Sequence, residues 1–123
     1  MNRDIKFRVW DVVNKRILDY SDIMTLPMWE VFPGTPEQRA YEVMQYTGLK
    51  DKNGKEIYEG DYIKAIRNHS GYKCEIKGIV KYECGSFYVE VKYPLQMEKV
   101  PMFELSEIFK LGNIYENPEL LGN

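Results

Sequence analysis

Short apolar runs of period two fill this chain, and Gly, Pro and Asn clusters interrupt them at about the 8–12-residue spacing typical of small all-β folds. Ile5-Lys-Phe-Arg-Val9 alternates apolar and basic side chains, which predicts a half-buried strand with Ile5, Phe7 and Val9 facing inward. Val13-Asn14-Lys15 offers a turn, and Arg16 to Tyr20 can return antiparallel. Ile23 to Phe32 is apolar without a clean period, and Pro27 interrupts it. Pro33-Gly34-Thr35-Pro36 reads as a loop, in which Thr35 could cap a short helical turn beginning at Pro36. Tyr41 to Tyr46 reads as a strand.

The pattern is clearer from Leu49 onward. Asn53-Gly54 predicts the central pair of a type I′ hairpin turn, since that turn needs positive φ at both positions. Glu59-Gly60-Asp61 reads as a turn feeding a strand from Tyr62 to Arg67. Asn68 to Tyr72 reads as an exposed loop. Lys73 to Tyr82 reads as one long or bulged strand, with Gly78 marking the irregularity. Glu83-Cys-Gly-Ser86 turns the chain into Phe87–Lys92, which places Phe87, Val89 and Val91 on one face. Pro94 to Pro101 reads as a loop, and Ile108 to Tyr115 as a strand. Asn117 to Leu121 reads as a terminal helical turn whose leucines dock on the core. Many short strands with little helix predict a mainly β, antiparallel fold, a small barrel or sandwich.

Composition narrows this reading. A chain of 123 residues with 44% apolar side chains can bury a core of its own. Ten tyrosines suit strands and half-buried rims, and they also suit partner surfaces. Nothing is long and apolar enough to span a membrane, and Met1-Asn-Arg-Asp-Ile-Lys6 lacks the apolar run of a signal peptide. A cytoplasmic location and no membrane partner are therefore expected. Cys74 and Cys84 have no metal or redox spacing and are expected as free thiols.

The net charge of −2 offers no global attraction to nucleic acid, but its distribution is uneven. Residues 64–81 hold five basic side chains and one acidic one. Lys64, Arg67, Lys73, Lys77 and Lys81, with Tyr72 and other tyrosines interleaved, form a candidate nucleic-acid-binding set, by backbone attraction plus base stacking. The same lysines would equally serve as exposed strand residues that protect edges.

Candidates for catalysis are few. His69 stands alone between Asn68 and Ser70, and Cys84 with His69 is the one conceivable nucleophile–base pair by residue type. Asp51, Asn53 and Glu56 superficially resemble a calcium loop but lack its further oxygen ligands. No phosphate-binding or dinucleotide fingerprint occurs. No catalytic residue, metal site or cofactor is expected.

Four blocks carry a family likeness. They are Ile5-Lys-Phe-Arg-Val-Trp-Asp11; Met44-Gln-Tyr-Thr-Gly-Leu49 through Tyr58-Glu-Gly-Asp61; Gly78-Ile-Val-Lys-Tyr82; and Gly112-Asn-Ile-Tyr-Glu-Asn-Pro-Glu-Leu-Leu121. Together they resemble the YopX family of small phage and prophage proteins. The resemblance implies a mainly β protein whose C-terminal part is an SH3-like barrel; with the pattern above, the expected division is an N-terminal β-hairpin segment with an irregular loop over 1–48 and an SH3-like β-barrel over 49–123. It implies no established activity. Ile23–Tyr41 and Pro94–Phe103 match none of these blocks, so features peculiar to this chain are expected there. The reading that results is a non-enzymatic accessory protein acting as a protein-interaction or assembly module. Its alternative is a nucleic-acid-binding accessory protein using the basic 64–81 strands. The protein partner is unknown, and self-association stays open.

Overall fold

The computed structural model describes residues 5–27, 41–92 and 97–121. It is mainly β, with antiparallel pairing between the strands and one four-residue α-helix among the described residues. The chain divides into two compact units, 1–46 and 47–123. The helical turn expected at Thr35-Pro36 lies outside the described residues. Among those that are described, no helix is long and apolar enough to cross a membrane.

In the first unit, β1 (Phe7–Asp11) pairs with β2 (Arg16–Leu18) on one side and with the start of β3 (Tyr41–Lys50) on the other. Asp11 shapes the β1–β2 turn. Its Oδ1 accepts the Val13 and Asn14 N–H groups, and its Oδ2 accepts from the Asn14 amide. Val9, Leu18 and Ile23 form the buried centre, with Phe7, Tyr41 and Val43 packed around them. Ile5, expected inside, is half exposed, and Arg8 is buried with its guanidinium against the Met44 sulfur. The helix α1 (Tyr20–Ile23) was not anticipated. Its signal is Asp19 with Asp22, a reciprocal capping box closed at both ends.

In the second unit, β3 continues beside β4 (Glu56–Tyr58), and five strands follow: β5 (Asp61–His69), β6 (Tyr72–Glu83), β7 (Ser86–Lys92), β8 (Met97–Pro101) and β9 (Leu105–Asn113). They form one sheet in the order β8-β7-β6-β5-β9, curled as a half-barrel, with the last strand returning to pair with β5. Ile57, Ile63, Val80, Val89 and Val100 are fully buried at its centre.

Three local expectations change. Met97–Pro101 is a strand paired with β7, where a loop was expected; as an edge strand it tolerates the terminal proline. The register of β6 runs unbroken through Gly78, so that glycine marks no bulge. A Cβ there would overlap the Glu90 carbonyl and the Val89 side chain, so the position is one of close approach. Asn53-Gly54 is not a type I′ pair, because only Gly54 has positive φ (83°). Ser70-Gly71 and Cys84-Gly85 have positive φ at both residues, and these two dipeptides make the tight turns at either end of β6.

Candidate functional site

The acidic, glycine-bearing stretch from 51 to 61 is where chemistry would first be sought, and its two aspartates are engaged in holding backbone. Asp51 Oδ1 accepts the N–H of Asn53 at 2.8 Å and of Lys55 at 2.9 Å. Its Oδ2 accepts the N–H of Lys110 on β9 at 3.1 Å. The Lys52 N–H donates to the Ile108 carbonyl at 2.9 Å. The 51–55 loop therefore covers the free edge of β9 with proper partners. Burial pushes the Asp51 carboxyl up. The three backbone donors and the Lys55 charge outweigh that and hold it below the usual aspartate value. Asp61, fully buried, accepts the Tyr58 N–H at 2.7 Å and lies 3.3 Å from the Lys110 ammonium. At the C-terminal end, Asn113 Oδ1 accepts the Tyr115 and Glu116 N–H groups, and the Asn113 N–H donates to Asn117. The backbone of 118–121 forms the expected helical turn, while the side chains of Leu120 and Leu121, whose docking was expected, lie outside what the structure describes.

The cationic set separates by strand parity. Lys64, Lys73, Lys77 and Lys81 share the face of the sheet turned away from the core, with Lys64 directly opposite Lys77. Tyr62, Tyr88 and Phe109 lie on that same face, and the Lys64 ammonium sits 5.6 Å from the Phe109 ring centre. Lys81 is paired with Glu90 at 3.2 Å. Beside it, Lys99 pairs with Glu83 at 2.8 Å. Lys64, Lys73 and Lys77 have no ion-pair partner among the described residues.

Arg67 and Tyr72 fall on the other face. Arg67 is half-buried and donates to Glu98 at 2.7 Å and Glu104 at 3.0 Å, which raises its already high pKa and neutralises its charge. Tyr72 projects from the hairpin tip opposite His69. The His69 ring reaches the same Glu104 at 3.5 Å. His69 and Cys84 flank opposite ends of the twelve-residue β6, so the fold does not bring that pair together. Among the described residues, no three potential metal ligands cluster.

A second feature is absent from the sequence pattern. An open cavity of about 300 Å³ is lined by Thr47, Leu49, Ser86, Phe87, Pro101, Met102 and Phe103. The 3₁₀ turn Met102–Glu104 builds its end by sending Met102 into the core and Phe103 out. Phe103 is 86% exposed and Leu49 41% exposed. Phe87, half buried, is steadied by an edge contact with Tyr82 at 4.9 Å between ring centres. The one local clue in the sequence is Pro101-Met102-Phe103, and the opposing wall comes from residues some fifty positions earlier in the chain.

The chain matches the YopX protein family over residues 6–122. A crystal structure of protein EF1440 from Enterococcus faecalis is similar over 98% of this chain and 99% of that one, with 26% sequence identity and a TM-score of 0.64. No curated protein matches the chain.

Proposed function

This chain belongs to the YopX protein family, and from that premise we propose that it acts as a non-enzymatic accessory protein. It binds a protein partner through the groove beside Phe103, in the phage or prophage setting that the family resemblance implies. The observation that carries this reading is an almost fully exposed phenylalanine at the mouth of an apolar groove. Exposed aromatics beside a preformed concave apolar surface are the usual anchors of protein interfaces. Phe103 also ends the segment 94–103, which lies outside the resemblance blocks and is where features peculiar to this chain are expected. The acids that could have served catalysis support the same reading, because Asp51 and Asp61 accept backbone N–H groups.

Burying Phe103 in an interface would contribute about 3 kcal/mol at roughly 25 cal/mol per Å² of apolar surface, or about a hundredfold in affinity. Phe103→Glu should therefore remove partner binding by about that factor. The fold should be unaffected, because the side chain makes little contact within the chain. Affinity capture with the wild type and this variant from the source cells, quantified by mass spectrometry, tests it. A partner set identical for both proteins rejects the groove as the binding site.

A further inference from the structure

We propose that the outer face of the β5–β6 hairpin binds single-stranded nucleic acid through Lys64, Lys73 and Lys77, a surface separate from the Phe103 groove. The ion pairs sort this face into two halves. On the β7–β8 side, Lys81 and Lys99 are neutralised by Glu90 and Glu83. On the β5–β6 side, Lys64 and Lys77 stand directly opposite one another, and Lys73 lies four residues along the same strand as Lys77. Like charges directly across a sheet are unfavourable, and no acid among the described residues pairs with these three. Glu75 lies between Lys73 and Lys77 on that face without meeting either within ion-pair distance. Three lysines and one glutamate leave this half of the face with a net charge of +2, which suits an external polyanion.

Two observations favour a single strand over an acidic protein segment. The cationic row follows an extended strand, with Lys73 and Lys77 about 13 Å apart along it, so a chain with regularly spaced charges fits the row. Tyr62 and Phe109 lie on the same face beside the row, and aromatic faces next to cations are the platform on which unpaired bases stack. Arg67 and Tyr72 take no part, because one is engaged by two glutamates and both point to the opposite face.

The test is fluorescence anisotropy of the full chain with a labelled oligothymidylate and a labelled oligouridylate, titrated between low and physiological salt. Three phosphate contacts predict a slope of log K against log salt of about −2. The variant carrying Lys64→Ala, Lys73→Ala and Lys77→Ala should lose at least tenfold in affinity and most of that slope, while its thermal midpoint stays within a few degrees of wild type. The variant Lys81→Ala with Lys99→Ala should bind as wild type does. Any of three results overturns the proposal: no binding at low salt, binding unchanged in the triple variant, or equal loss in the Lys81 and Lys99 variant. Tighter binding of a polyglutamate peptide or of duplex DNA than of either single strand overturns it as well.

Discussion

Replacing Asp51 by asparagine isolates one hydrogen bond at the edge of the main sheet. In the wild type, Oδ1 accepts from Asn53 and Lys55, and Oδ2 accepts from the Lys110 N–H at 3.1 Å. The Asp51→Asn variant can keep its carbonyl oxygen toward Asn53 and Lys55. It must then present its NH₂ group to the Lys110 N–H, donor against donor, at a site only 7% exposed. Losing a hydrogen bond to a charged acceptor and stranding a backbone donor should cost about 2 kcal/mol. With a urea dependence of about 1–2 kcal/mol per molar, the unfolding midpoint should fall by roughly 1–2 M. Because the Asp51 pKa is depressed in the fold, its stabilisation is fully present above the unfolded value near 3.8 and is lost as pH falls through the folded value. The gap between wild type and variant should therefore be widest near neutrality and narrow in acid below about pH 4. Urea titrations at neutral pH and in acid well below the unfolded value, followed by circular dichroism, measure both effects. Equal midpoints at neutral pH, or a gap that widens in acid, would refute the assignment of Asp51 as the clamp on β9.

Other consequences follow from the same geometry. Gly78→Ala forces a methyl group into the Glu90 carbonyl and Val89, and should destabilise the protein by about 2 kcal/mol or more in denaturant titration. Arg67→Met leaves Glu98 and Glu104 without their cation and should cost about 1–2 kcal/mol, again read from denaturant midpoints; no loss would show the pair to be incidental. Burial, with Glu83 nearby, raises the Tyr88 phenol, so its stabilising contribution is complete below the ordinary value of 10.0 and is lost as pH rises through the folded value. Spectrophotometric titration of Tyr88→Phe should lose one tyrosine component that titrates above the ordinary value. Cys74 and Cys84 are both exposed and free, so native thiol titration should find two per chain.

Much of the fold was legible from alternation alone. Phe87, Val89 and Val91 face the core as their period-two spacing predicts, and β1 and β2 pair as the Val13-Asn14-Lys15 turn suggested. The errors came where a single side chain or a distant strand outweighs local propensity. Asn53-Gly54 is a strong type I′ signal, but Asp51 closes a longer loop around it, with the Gly54 N–H bonded to the Asp51 carbonyl. Met97–Pro101 shows no clear alternation, and only its pairing with β7 makes it a strand. The cationic set is contiguous along the chain, yet Lys64 and Arg67, three residues apart, face opposite sides of the strand. Parity would have separated them. The groove could not have been read in advance, because it exists only where Leu49, Phe87 and Phe103 meet.

The most direct test of the central claim is site-specific photocrosslinking in the source cells, with the crosslinking side chain at Ser86 in the groove and, as control, at Val13 in an exposed turn of the first unit. If the groove holds a protein partner, position 86 gives a discrete protein adduct that is absent from position 13 and disappears when Phe103→Glu is added. Adducts that are the same from both positions, or that survive the Phe103 change, would contradict it.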